Sequence, residues 1–436
     1  MNDSTPCPLI TTDRRRFIRT AAGLVAAGSS LLPRYSTQAQ ETALQLNVLL
    51  ASSSIPGVND FTMQLAQTWA ELRGTEINIA LTELVDLPAR AERSLRGGEQ
   101  RDVVELQDLQ PYQFSDLLLD VTQLADAVIA EQGPYFPWVE QTVRVYGVWF
   151  SLPIGGCPPA MLYRPSALSA AGMPTPPGDW TAYFDLAASL KSIGAPAAGQ
   201  ALAQTPVAAP AFCYAYMWSN GASEILPGSR DVSFASDAMR NALDRFALAW
   251  QSGFDPDGTQ WDDKANLTAF VEGRTSITIG AADIYLAAKL AGVSDIAAAP
   301  VPGDAGGQFV PLGSRSLGVS LRSANPDLAM EFIAWWTAQA QYSQWVVALQ
   351  GSLVPANEPL VTLPVFDVDT NLRPFIEATR YGRVKGYSAA PSKASAEVTA
   401  NYFVVNTFAD VARGVDVTTA IGRGQQLMEL FYTQTQ

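Results

Sequence analysis

The 436-residue chain contains no histidine. That removes the commonest general base, the commonest metal ligand and the imidazole of every Ser-His or Cys-His nucleophile pair. Cysteine is nearly as scarce, at three in the whole chain, which argues against haem, copper or molybdenum sites held by side chains. Cations are also in deficit, with Lys+Arg 28 against Asp+Glu 42. Residues 1–39 carry five of the arginines and two of the aspartates, so the remainder holds 23 cations against 40 carboxylates. So acidic a surface repels nucleic acid and anionic membrane. No GxSxG, P-loop, GxGxxG or CxxC occurs, and the Gly-rich turn at Gly303–Gly307 lacks the lysine and helix that cradle phosphate. Glycoside hydrolysis needs two facing carboxylates, but no catalytic motif surrounds any acidic pair here.

A long hydrophobic run is missing too. The apolar stretch from Thr20 to Pro33 covers 14 residues, short of the ~20 that span a bilayer. It follows DRRRFIRTAAGLVAAG, residues 13–28, where a basic cluster meets small apolar residues. Basic region, short apolar region and a small-residue site at Thr37-Gln38-Ala39 make the layout of a cleaved export signal. Arg14-Arg15, with Arg16, Phe17 and Ile18 behind them, resembles the twin-arginine signal. The expectation is a chain folded in the cytoplasm, exported by the Tat translocase and cut near Ala39 to reside in the periplasm. Cys7 precedes the apolar run, so no lipid-anchoring cysteine stands after it. Cys157 and Cys213 remain in the processed chain, either as a disulfide or as two buried thiols.

What is present suits a globular protein of two cores. Hydrophobic residues make up 48% and charged residues 16%, and single cores seldom grow beyond ~250–300 residues. Leu44–Ser54 reads as a buried strand ending in a serine loop. Asn59–Arg73 is a helix stopped by Gly74, Glu76–Leu84 a strand, Leu87–Leu95 a helix and Arg101–Gln107 a strand. This β-α-β-α-β order predicts a parallel sheet with ligands at the carboxyl ends of its strands. Further along, Thr275–Asp283 and Ser316–Leu321 read as strands. Pro326–Gln350 reads as one long helix, and Ala409–Tyr432 as an amphipathic one.

Four stretches, in order, resemble the family 1 extracellular solute-binding proteins of ABC importers, nearest to the sugar-binding members. They are RDVVELQ with FSDLLLDVTQLAD (Phe114–Asp126), and GVWFSLPIGG…AMLYRPSALSAAGMPTPPGDW, which begins at Gly147. WDDKANLTAFVEGRTSITIGAAD (Trp261–Asp283) and Gly318–Pro355 complete the set. Arg164 departs from the family's Asn after Tyr, and Asp283 replaces an aromatic that often faces the ligand.

The resemblance implies an α/β, two-lobed periplasmic binding protein fold of type II, each lobe a mostly parallel sheet covered by helices. Residues 40–153 plus 303–355 would form one lobe, and 154–302 plus 356–436 the other. Crossing segments near Pro153–Tyr163, Ala299–Gly306 and Gly351–Pro359 would act as the hinge. A monomer of this kind would carry a carbohydrate to the ABC permease membrane subunits, with no cofactor, no metal and no catalysis. Two alternatives stand beside it: an exported carbohydrate-active hydrolase, and the same fold holding a non-sugar solute.

A sugar needs flat aromatic faces against its rings and Asp, Asn or Arg against its hydroxyls. Trp218 and Trp261 are candidates for stacking, with core packing as the other reading of each. Asn220 lies in the turn after Trp218. Ser53 and Ser54 follow the first strand, where the family often places ligand groups. Asp108 ends the third strand, and Asp283 follows TSITIG. Arg315 sits beside a crossing segment, where it would clasp hydroxyls or form an inter-lobe ion pair. Tyr387 belongs to a ring-rich segment with Tyr381 and Arg383.

Overall fold

A computed structural model describes residues 44–434; the twin-arginine stretch and the Ala39 site lie outside them. The strands are β1 (Gln45–Ala51), β2 (Glu76–Thr82), β3 (Val103–Gln107), β4 (Arg144–Val145), β5 (Val148–Trp149) and β6 (Leu152–Gly156). Then come β7 (Ala160–Tyr163), β8 (Ile277–Gly280), β9 (Ala297–Ala299), β10 (Val310–Leu312), β11 (Ser314–Val319) and β12 (Gly382–Val384).

The larger sheet has the order β2-β1-β3-β11-β6. β1 pairs in parallel with β2 along its whole length, from Gln45 opposite Glu76 to Ala51 opposite Thr82. It pairs in parallel with β3 as well. The helices Val58–Arg73 and Leu87–Leu95 return the chain between these strands, as parallel pairing requires. All of β3 is buried, so its Glu105 must find partners inside the protein. β11 inserts antiparallel to both β3 and β6.

The smaller sheet, β8-β7-β9, differs from the mostly parallel arrangement expected of it. Its central β7 is antiparallel to both neighbours. The cause is the route of the chain: β7 enters straight from β6 of the other sheet, not through a βαβ crossover, so nothing makes it run parallel.

Three segments pass between the two sheets. The first is Cys157–Pro159, linking β6 to β7. The second runs from β9 to β10, which pairs with β12, and on to β11. The third follows Gln339–Ala348 and is tied to the first by a bridge between Gly156 and Val354. Space is so tight here that only glycine fits. Gly155 has φ 127°, and a Cβ on it would meet the Val354 carbonyl at 2.5 Å. A Cβ on Gly156 would lie 2.6 Å from Trp138.

The core around the smaller sheet is built on the Ala208–Ser219 helix, every residue of which is buried. Phe212 and Tyr216 from this helix meet Trp180, Phe246, Phe254 and Phe408 edge-on or tilted. Such pairs add about 0.5–1.5 kcal/mol each beyond their burial. Trp149 is likewise buried in the core.

Two of the expected long helices are broken. Pro326–Gln350 resolves into Pro326–Thr337 and Gln339–Ala348, with Ala338 extended at ψ 141° between them. The tail divides into Phe403–Ala412 and Val417–Gln434 around Gly414. Cys157 and Cys213 are both free thiols.

Candidate functional site

β3 ends at Gln107, and the backbone turns sharply at Asp108, which holds φ 54°. Few non-glycine residues adopt that region, Asp and Asn most readily. The turn aims the Asp108 side chain into a cavity of about 380 Å³ between the two sheets. On one side its lining includes the β2-to-helix corner (Leu84, Val85, Pro88), Gln107 and Arg315. On the other it includes Pro206, Val207 and Tyr214, with Thr399, Ala400 and Tyr402 beyond.

Lys385 is the cation of the floor. It is 5% exposed, it ion-pairs with Asp108 Oδ2, and its Nζ stands 5.7 Å from the Tyr214 ring centre. Asp108 Oδ1 is buried with no hydrogen-bond partner in the protein. The pair is anchored from behind by Glu224, which is wholly buried. Glu224 Oε1 accepts from the Tyr214 hydroxyl at 3.1 Å, and Oε2 from the Gly386 N–H at 3.1 Å. Burial pushes the Glu224 carboxyl up to about 7, against the opposing pull of those two donors and Lys385.

Arg315, on β11, donates through Nε to Glu105 Oε1. The other Glu105 oxygen accepts from the Ala51 N–H at 2.8 Å, which satisfies the acid inside β3. Arg315 also lines the cavity. The acids and bases of the floor therefore cancel in pairs. Asp263 fixes the facing wall: its carboxylate accepts from the Val207 and Ala208 N–H groups at 3.3 and 2.7 Å. That is the favourable place for an anion at a helix N-terminus.

Of the sequence candidates, Asp108 and Arg315 meet at this cavity. Ser53 lines a separate pocket of about 20 Å³ on the far side of Arg315, and its hydroxyl accepts from the Ile55 N–H. Ser54 is exposed in the same loop.

The stacking reading of the two tryptophans is not met. Trp218 is 1% exposed, enclosed by Tyr214 at 5.1 Å and Tyr387 at 5.7 Å, because its helix is buried all round. Trp261 is 7% exposed, covered by the Arg274 guanidinium at 5.7 Å, while Asp262 caps the following helix. Asn220 caps the Ala208–Ser219 helix, donating to the Tyr216 carbonyl and accepting from Arg245. Tyr387 packs on Phe309 and Arg383.

Asp283 is absent from the cavity lining. The strand expected to end beside it stops at Gly280, and Asp283 enters the first turn of the Ala282–Leu290 helix. Burial and the neighbouring Asp263 push its carboxyl up to about 6.

Sequence reasoning missed Lys385, Glu224, Thr399 and Tyr402. Lys385 is one of only five lysines, yet nothing local in VKGYS marks it as buried, since its partner lies 277 residues away. Cys157 lines the cavity, its thiol pushed up to about 11 by burial. Among the described residues no helix is long and apolar enough to cross a membrane. Nor does any group of three acidic or cysteine side chains there gather to hold a metal.

The family model for bacterial extracellular solute-binding proteins matches residues 56–342. No curated protein matches the chain. Among solved structures, the GacH receptor of Streptomyces glaucescens, determined unliganded and with acarbose, is 17% identical. It superposes with a TM-score of 0.75 over 91% of this chain and 100% of its own. Maltose-bound MalE3 of T. maritima is 16% identical, with TM-score 0.75 over 89% of this chain and 100% of its own. A sugar transporter protein of Arthrobacter chlorophenolicus with bound laminaribiose is 14% identical, with TM-score 0.76 over 89% and 99%. At these identities the likeness is one of fold.

Proposed function

The chain belongs to the bacterial extracellular solute-binding family, and on that premise we propose that it captures a carbohydrate in the Asp108 cleft for an ABC importer. The observation that carries this reading is Asp108 at the strand end, lining the cavity together with Lys385, Arg315 and the Tyr402 ring. The Asp108 carboxylate accepts a sugar hydroxyl there, and the Arg315 guanidinium donates to a neighbouring one. Proteins of this fold hold maltose and laminaribiose, which supports a carbohydrate here.

The two lobes are 40–153 plus 303–355 and 154–302 plus 356–436, and the three crossing segments are the hinge. A sugar bound between the lobes favours the closed form by its differential affinity, and the permease membrane subunits receive that form. No bond is broken, and no cofactor takes part. Residues 1–39 are a twin-arginine signal cut near Ala39, and the mature protein works as a periplasmic monomer.

Titration calorimetry against a panel of mono- and disaccharides tests the reading. One-to-one binding is expected, with the sugar recovered chemically unchanged. A new product would identify a hydrolase, and failure of the whole panel would overturn the carbohydrate assignment.

A further inference from the structure

The charges around the cavity do not balance. Lys385 and Arg315 are the cations of its lining, and Asp108 and Glu105 hold one each. Glu92, the other charged residue of the lining, pairs with Arg96 outside it. Behind Lys385, Glu224 is wholly buried and is held by two uncharged donors, the Tyr214 hydroxyl and the Gly386 N–H. The titratable and charged groups facing it are Tyr214, Lys385, Asp108 and Tyr432. Lys385 is the one cation in that set, and Asp108 already holds it. On the facing wall, Asp263 is likewise held by uncharged donors, the N–H groups of Val207 and Ala208. The two walls therefore carry more carboxyl groups than cations.

The rings of the cavity point the same way. Tyr214 already receives the Lys385 ammonium over its face, so a tyrosine here suits a cation. Tyr402 lines the cavity too. Burial first, and then the charges of Asp263 and Asp108, push its hydroxyl up to about 12, so carboxylates of both walls act on a group inside the cavity. A cation entering a site of low dielectric gains from such carboxylates, and an anion is repelled. A neutral sugar leaves the imbalance as it was. The alternative way to relieve it is a proton, and Glu224 keeps one up to about pH 7, chiefly because it is buried.

We infer that the preferred solute is an amino sugar, its ring hydroxyls at Asp108 and Arg315 and its ammonium group drawn by the surplus carboxyl groups, with a proton passing from Glu224 to solvent as it binds. The inference rests on the carbohydrate reading above and narrows it. The sign of the pH dependence follows. A protonated Glu224 attracts a cation less than an ionised one, so the advantage of the amine grows as pH rises toward 7. An amine that titrates at about 8 stays mostly charged across that range.

The test is calorimetry at about pH 5.5 and pH 7 with matched probes: glucose, galactose and mannose, each beside its 2-amino and its uronic acid counterpart. In the series that binds, the amine should bind at least tenfold tighter than the neutral sugar at pH 7, and the uronate at least tenfold weaker. The advantage of the amine should shrink severalfold at pH 5.5. Titrations at about pH 6.5 in buffers of different ionisation enthalpy should show proton release with the amine and none with the neutral sugar. Glu224→Gln lies outside the cavity lining, and it should narrow the ratio of amine to neutral affinity and abolish the release. That readout is a ratio within one variant, so a general loss of binding does not imitate it, and the wild-type titrations stand without it. A neutral sugar that binds as tightly as its amine would overturn this inference and leave the carbohydrate reading standing. So would an amine advantage that ignores both pH and the substitution. Silence from all nine probes would overturn both.

Discussion

Asp108 combines a left-handed backbone, an ion pair and an unsatisfied oxygen in one residue. Asn tolerates the same backbone region, so Asp108→Asn should fold while losing the charge. Removing a hydrogen bond to a charged group costs about 1.5–3 kcal/mol, and sugar affinity measured by calorimetry should fall roughly ten- to a hundredfold. Behind it, Glu224 makes stability depend on pH. Its folded pKa, about 7, lies above the ordinary value of 4.5, so the folded state binds the extra proton between those limits. Stability is therefore highest below about pH 4.5 as far as this group is concerned. It should decline as pH rises to about 7 and level off above, a change on the order of 3 kcal/mol. The groups facing Glu224 are Tyr214, Lys385 and Asp108. Urea unfolding across pH 5–8 should show the decline in the wild type and a flatter profile in Glu224→Gln. An unchanged slope in the variant would assign the dependence elsewhere. The strand-end position of Asp108 was legible from local pattern, because an apolar run ending in polar residues marks a strand's exit. Lys385 was not, because burial of a lysine is decided by a partner far away in the chain.

At the scale of elements, the β-α-β-α-β start was legible because both periods, 2 and 3.6, are strong there. The break at Ala338 was not, since TAQAQ contains neither Gly nor Pro. Its reason is tertiary. An α-helix turns about 100° per residue, so Trp336 and Trp345, nine apart, would point to opposite faces of a straight helix. The break brings the two rings to 5.9 Å in the same core, and lets Trp345 Nε1 donate to the Thr62 hydroxyl at 3.2 Å. Both gains vanish in Trp345→Ala, which should lose about 3–5 kcal/mol in denaturant unfolding. A loss under 1 kcal/mol would mean that the break has another cause.

For the whole molecule, the proposed hinge predicts a closure that ligand controls. A ligand present at a hundred times its Kd adds about 2.7 kcal/mol to stability. The unfolding midpoint should therefore rise with the logarithm of sugar concentration. Small-angle scattering should record a smaller radius of gyration in saturating sugar. A rise in midpoint with no contraction would show that the ligand binds without moving the lobes. Most of the fold at this scale was readable from motif order. The antiparallel course of β7 was not, because it depends on which sheet the chain has just left.

The two thiols of residues 44–434 differ sharply in access. Cys213 is sealed in the aromatic core, whereas Cys157 stands at the cleft wall on the first crossing segment. A small thiol reagent should therefore modify Cys157 before Cys213, and slowly, because burial holds the Cys157 thiol up at about 11. A ligand that fills the cavity should slow that modification. Protection of Cys157 would then report occupancy of the cavity in the unaltered protein.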